Sequence, residues 1–187
     1  VDFSQGQVKL LEHDVSRWTT PKIRSLPVAF FPEDRLRVGA IPQLDLSENF
    51  LLGYQSRQPF WLPWKQIRRQ TQAELERFQI QPPQETALLS QLSGGNQQKL
   101  VVARELSQQP EFILAAHPTR GVDIGAIEFI HEQLIRFQEK GAGILLISSE
   151  LDELMKLSDR IFVFFRGTIN GHFLRNEFNE RKIGTAM

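Results

Sequence analysis

The chain reads as an α/β protein, and three observations carry that reading. In the last third, short apolar runs alternate with amphipathic helical stretches. The order strand, helix, strand, helix, strand implies right-handed crossovers and a parallel sheet. A Ser93-Gly94-Gly95 turn opens the clearest helix in the sequence. The 187 residues are 41% hydrophobic and 24% charged, sufficient for one domain to bury a core without staples.

Taken in order, Gln7 to Leu11 predicts a short alternating strand before a polar loop. Thr20-Pro21 opens a short helix through Ser25, since proline suits a first helical turn. Val28 to Phe31 is a continuous apolar run, as a buried strand requires, and it stops at Pro32-Glu33-Asp34-Arg35. Gly39 to Pro42 reads as irregular. Ser47 is expected to cap a short helix carrying Phe50 and Leu51. An aromatic, proline-rich stretch follows, from Pro59 to Trp64. Gln66 to Phe78 predicts a polar helix with Ile67, Ala73, Leu75 and Phe78 as its apolar face, stopped by Pro82-Pro83.

After the Ser-Gly-Gly turn, Leu100, Val101, Ala103 and Leu106 form the inward face of a helix that ends at Gln108-Gln109-Pro110. Phe112 to Ala116 is an apolar strand. Asp123 can cap a helix with Ile127, Ile130, Leu134 and Phe137 on one side, ended by Lys140-Gly141. Ile144 to Ile147 is a second buried strand. Ser149 with Asp152 is a capping-box variant for a helix carrying Leu151, Leu154 and Met155. Ile161 to Phe165 is the third strand, with Thr168 to Phe173 as its hairpin partner across Arg166-Gly167.

Composition excludes several functions. No cysteine is present, so there is no disulfide framework, thiolate catalysis or Cys-ligated zinc. Apolar runs fall well short of the roughly 18 residues of a membrane helix, and no signal-like apolar segment is seen near the start. Lys plus Arg total 22 and Asp plus Glu total 22, which argues against bulk electrostatic binding of nucleic acid. A soluble protein of a reducing compartment is expected, one that serves a membrane only through a partner.

Ser93-Gly94-Gly95 carries the chemistry. Glycines leave backbone N–H groups uncovered, a helix N-terminus adds partial positive charge, and the serine adds a hydroxyl donor; together they suit an anion. A serine-capped flexible turn is the plainer reading of these three residues alone. The surrounding order of motifs resembles the nucleotide-binding domain of ATP-binding-cassette (ABC) transporters. Leu92 to Gln98 is similar to the family's signature motif, and Phe112 to Ala116 lies where its Walker B strand belongs. Pro118-Thr119 continues as that motif does, Gly121-Val122-Asp123 resembles the D-loop, and Ser148-Ser149-Glu150 lies at the switch-histidine position. Pro32 to Arg35, Gly94 to Lys99, Pro118 to Asp123 and Ser148-Ser149-Glu150 together look like the second cassette of fused bacterial importers for simple sugars and nucleosides. Asn49 to Tyr54 and Gln58-Pro59-Phe60 resemble the nucleoside branch.

The resemblance implies a fold, a division of labour and a set of partners. The fold is a partial RecA-like P-loop NTPase core with a parallel sheet (residues 1–43 and 107–187), plus an inserted helical subdomain (residues 44–106). Cassettes of this family pair head to tail, so Ser93, Gly94, Gly95, Asn96 and Gln97 would meet the γ-phosphate of ATP held by another cassette. Asp123 would couple the two sites. The chain contains no Gly-Lys dipeptide and hence no G-x-x-x-x-G-K-[ST], so its own P-loop is expected to be missing. Ala116 and His117 stand where the family has the magnesium-organising Asp and the water-polarising Glu. A methyl group holds no metal, and His117 lacks a carboxylate's charge and reach. Glu33 stands at the Q-loop glutamine and Ser149 at the switch histidine. These last two changes look usual for second cassettes of that group; it is the Ala116-His117 change that makes this half-site look hydrolytically dead, and the chain alone is expected to be inactive. ATP and magnesium would be bound mainly by the partner cassette. The other implied partners are transmembrane permease subunits and, indirectly, a solute-binding protein, on the cytoplasmic face of a bacterial inner membrane. The alternatives are a non-catalytic module docking a membrane subunit, and a non-transport ABC ATPase.

The remaining candidates have plain readings. His13, His117, His131 and His172 show no metal-ligand spacing, and His131-Glu132 reads as a solvated helix face. Phe60, Trp61 and Trp64 either anchor the helical subdomain or form part of a permease groove, with Arg35 and Arg37 as its charged rim or as solvated loop charges. Lys65, Arg68 and Arg69 read as a solvated cluster, with anionic headgroups the lesser possibility.

Overall fold

The computed structural model describes residues 6–55 and 59–187, so Gln58 of the nucleoside-like stretch lies outside it. The chain divides into two units, Val1–Leu145 and Leu146–Met187. In the first, β1 (Lys9–Leu10) and β2 (His13–Asp14) form an antiparallel hairpin. Leu11 and Glu12 take positive φ of 47° and 64° at its two-residue turn, the twist that a tight hairpin favours. The expected strand Gln7 to Leu11 is thus shorter than read, and it gains a partner from the supposed loop. Helix α1 (Thr20–Ile23) has Pro21 in its first turn, and β3 (Val28–Phe31) matches its predicted span.

Residues Arg35–Gly39 then form one π-helical turn where the sequence suggested only loop; Asp34 caps it, its carboxylate accepting from the Leu36 and Arg37 amides. Helix α2 (Leu46–Leu51) is capped by Asp45, not Ser47. Asp45 accepts from the Glu48 amide at 2.8 Å, and Glu48 accepts from the Asp45 amide at 2.8 Å. This reciprocal box outcompetes Ser47, whose hydroxyl lies buried and donates to the Glu85 carbonyl. Helix α3 (Trp64–Arg77) starts earlier than expected. Its inward stripe is Ile67, Thr71 and Leu75, followed by Phe78; Ala73 is exposed because Thr71 holds the i+4 position.

Helix α4 (Gly94–Leu106) is the hub of this unit. The expected inward residues Leu100, Val101, Ala103 and Leu106 are all buried, but so are Val102, Arg104 and Glu105. The helix is enclosed nearly all round, against β3, α2, α3, the π-helical turn and α5 (Ile124–Glu139). Strand β4 (Phe112–Ala116) matches its predicted span and runs parallel to β3, with Val28 opposite Phe112 and Phe31 opposite Ala115. Strand β5 (Gly143–Ile147) completes the order β3-β4-β5. The predicted α/β architecture with a parallel sheet is therefore present.

Glu105 is fully buried, and four groups donate to it. It accepts from Arg24 at 3.1 and 3.2 Å, from the Tyr54 hydroxyl at 3.0 Å, from the Phe30 amide at 3.1 Å and from Arg104 at 3.2 Å. Arg104 also donates to the Gly39 carbonyl at 2.8 Å and the Asn49 carbonyl at 3.2 Å. One buried carboxylate thereby ties α4 to β3, α1 and the segment after α2. Burial, together with the negative charge of Glu105, pushes the Tyr54 hydroxyl up to about 12 from an ordinary value of 10.0. Tyr54 is the only tyrosine in the chain, so phenolate absorbance reports it alone. The native protein is expected to titrate near 12 and the urea-unfolded protein near 10. Because the folded value is raised, the stability Tyr54 contributes is present below pH 10 and is lost as pH rises toward 12. A native midpoint at 10 would contradict this burial.

The second unit departs further from expectation. Helix α6 (Leu151–Leu157) has Glu150 at its cap position and no side-chain cap. The anticipated Ser149 cap is not made; instead Ser148 accepts from the Glu150 amide at 3.0 Å. Strand β6 (Arg160–Phe165) does not extend a parallel sheet but pairs antiparallel with β7 (Thr168–Leu174). Arg166 and Gly167, both at positive φ, form the predicted turn between them. Helix α7 (Glu180–Ala186), unforeseen in the sequence, places Ile183 against Ile161 and Val163.

Candidate functional site

Ser93 stands at the N-cap of α4 with its side chain exposed to solvent. Its hydroxyl accepts from the Asn96 side chain at 3.1 Å and, less closely, from the Asn96 amide at 3.4 Å. Helix geometry leaves the Gly94 and Gly95 N–H groups without intrahelical acceptors. These two amides and the Ser93 hydroxyl lie at the positive end of a 13-residue helix. The arrangement can receive a tetrahedral oxyanion such as a phosphoryl group.

Two flanking loops fix this turn. A Cβ on Gly95 would overlap the Asp123 carboxylate and lie 3.1 Å from the Ala126 Cβ. A Cβ on Gly94 would lie 2.7 Å from Arg35 Nη2 and 3.3 Å from the Gly121 carbonyl. Gly95 is therefore required by close approach, independently of any ligand, whereas a Cβ on Gly94 would displace the end of the Arg35 side chain. Asn96 and Gln97 turn back into the protein. Asn96 Oδ1 accepts from the Gln81 amide at 2.9 Å, and the buried Gln97 amide donates to the Leu89 and Leu92 carbonyls. Gln98 donates to the Pro118 carbonyl at 2.8 Å, which locks α4 to the loop after β4.

Asp123 caps α5, accepting from the Ala126 amide at 2.9 Å, while its second oxygen faces Gly95. The D-loop-like and signature-like segments thus meet within one unit. Glu33 is ion-paired with Arg120 at the surface. Arg35, read from the sequence as a rim or solvated charge, is half buried and donates from Nη1 to the Arg120 carbonyl at 3.2 Å. Ala116 ends β4, and His117 follows with φ of 47°, a left-handed conformation that few non-glycine residues adopt. Neither offers a carboxylate, so this strand end does not fit a magnesium ion. Among the described residues no cluster of His, Asp or Glu could hold a metal. Ser149 belongs to the second unit, where it is exposed.

Other expectations divide. His131 is buried on α5, not solvated, because the inward arc of that helix also takes in Phe129, Ile130 and Gln133. Glu132 is exposed and pairs with Arg136 at 2.7 Å. Phe60 and Trp61 are 91% and 84% exposed and pack edge to face at 5.5 Å, so they do not anchor a core. Lys65, Arg68 and Arg69 are solvated as expected and line a shallow surface groove with Gln72 and Glu85. Among the described residues, no helix is long and apolar enough to cross a membrane.

Comparison with known proteins places these features in context. The model of the ABC transporter family matches residues 1–120. The nucleoside import ATP-binding protein NupA of Lactococcus lactis subsp. cremoris is 36% identical, over 97% of this chain and 37% of its own length. A xylose import ATP-binding protein, XylG of Geobacillus kaustophilus, is 38% identical over 85% of this chain and 32% of its own. The chain thus spans about a third of the length of the relatives it matches. The dimeric post-hydrolysis state of the ATP-binding cassette MJ0796, bound to ADP and phosphate, superposes with a TM-score of 0.77. At 21% identity, over 94% of this chain and 75% of that one, it establishes the shared fold.

Proposed function

The chain belongs to the ABC transporter family, and from that premise we propose that it is part of the energy-coupling ATPase of a bacterial importer for nucleosides or simple sugars. It acts as a degenerate second cassette. Its own half-site does no chemistry, while its signature loop completes the ATP site of a partner cassette. The carrying observation is the contrast within one unit. Ser93, Gly94 and Gly95 keep a hydroxyl and two helix-start amides that suit an anion, whereas Ala116 and His117 present no carboxylate at the end of β4.

The residues on the receiving side fit a terminal phosphate. Ser93 offers a hydroxyl, Gly94 and Gly95 offer amides, and the start of α4 favours negative charge. ATP, bound with magnesium chiefly by the partner cassette, supplies the phosphoryl group. Asp123 carries any shift of this loop to the start of α5. We keep residues 44–106 as the helical subdomain between core segments 1–43 and 107–187. The exposed Phe60–Trp61 pair, flanked by Pro59 and Pro63, is the surface we assign to a membrane permease, since paired exposed aromatics commonly become interface anchors. A solute-binding protein enters only through that permease, and the assembly lies on the cytoplasmic face of the inner membrane.

A dead half-site has a measurable signature. In the full-length fused polypeptide assembled with its permease, His117→Ala is expected to leave ATP turnover within about twofold of the parent. Loss of a working general base costs about 100-fold or more. A loss of that size on His117→Ala would overturn the reading.

A further inference from the structure

We propose that Arg35 is the positioning residue of the signature loop, a strap joining it to the loops on either side. The inference rests on the reading that this loop receives the partner's ATP. Residue 35 follows Glu33 and Asp34 in a segment whose carboxylates are already engaged. Glu33 is paired with Arg120, and Asp34 caps the Arg35–Gly39 turn. No carboxylate among the described residues lies within ion-pair distance of Arg35. Its guanidinium instead reaches across the fold. Nη1 donates to the Arg120 carbonyl at 3.2 Å, and Nη2 covers the face of Gly94 so closely that a Cβ there would lie 2.7 Å away.

Gly121, at φ 66°, borders the same guanidinium, with Nη1 4.0 Å from where its Cβ would stand. Arg35 Nε is buried and has no hydrogen-bond acceptor among the described residues. A buried donor left unmet is costly. The guanidinium thus makes one hydrogen bond, to the loop after β4, and lies against Gly94 on its other side. Three segments distant in sequence (33–35, 93–95 and 119–121) are laced by this one planar group. Its charge, paired with no carboxylate among the described residues, also adds to the positive end of α4. A change in the position of the 33–35 segment would thus be transmitted to Gly94.

The test is a double-mutant cycle on the fused polypeptide assembled with its permease, with ATP turnover measured against ATP concentration. Arg35→Gln is expected to raise KM for ATP about fivefold to tenfold while kcat falls less than threefold. Gly94→Ala is expected to cost at least threefold more in kcat/KM in the parent than beside Arg35→Gln, because its Cβ then no longer meets the guanidinium. Hydrogen exchange of the fused polypeptide provides a readout free of activity. Arg35→Gln should speed exchange at least threefold at both the Asn96 and the Arg120 amides, which are bonded to the Ser93 hydroxyl and the His117 carbonyl. Additive effects in the cycle, or unchanged exchange, would overturn the strap. Ser93→Arg in the same preparation separates the two ideas. Lost turnover there with an additive cycle condemns only Arg35, whereas unaffected turnover condemns the reading of the signature loop itself.

Discussion

Replacing Ser93 with arginine is expected to lower ATP turnover of the full-length fused polypeptide by at least about 100-fold. Removing one preorganised donor at a developing oxyanion costs roughly 10²–10³ in rate. Arginine goes further, because its side chain would fill the space in front of the Gly94 and Gly95 amides. The fold should hardly notice. Ser93 is exposed, and its capping bond to the Asn96 amide is already long at 3.4 Å. Loss of that cap costs about 1 kcal/mol at most, or a fall of a few degrees in melting temperature for a chain of this size. Turnover and thermal melting measured on one preparation separate the outcomes. Unchanged turnover would refute the signature-loop reading, while collapse of both would mean that Ser93 matters to folding instead.

This prediction could be reached from sequence because the chemistry of the turn is local. A serine, two glycines and the helix that follows lie within a few residues of each other, as do Asp123 and the helix it caps. Strands Val28 to Phe31 and Phe112 to Ala116 were equally legible, since a continuous apolar run between turn residues leaves few alternatives. Legibility failed where two local options competed. Ser47 and Asp45 both qualify as caps, and only the reciprocal bonds with Glu48 decide between them. It failed again wherever a partner lies far along the chain. Arg35 meets Arg120 85 residues away, and Glu105 meets Tyr54 and Phe30 51 and 75 residues away. Arg104-Glu105 in an amphipathic helix looks like a solvated pair until the helix is found to be enclosed on every side.

That enclosure makes Glu105 the side chain whose loss should cost the fold most. Truncation to alanine leaves the Arg104 charge buried with its main counter-charge gone, the Tyr54 hydroxyl without its acceptor, and the Phe30 amide unmet beneath β3. Breaking a buried ion pair from one side costs about 3–5 kcal/mol, because the surviving charge keeps its desolvation penalty. For a domain of this length each kcal/mol moves the melting temperature by roughly 2–4 °C, so a fall of about 6–20 °C is expected. Glutamine should recover only part of this, since its NH₂ group would face donors where an acceptor is needed. Tyr54→Phe, which removes one of four donor groups and leaves the carboxylate otherwise met, should cost about 1 kcal/mol. The order Glu105→Ala, then Glu105→Gln, then Tyr54→Phe, read by urea and thermal unfolding, checks the network as a unit. A Glu105→Ala loss below about 1 kcal/mol would mean that water or rearrangement satisfies these donors. The clamp between α4 and β3 would then not depend on this carboxylate.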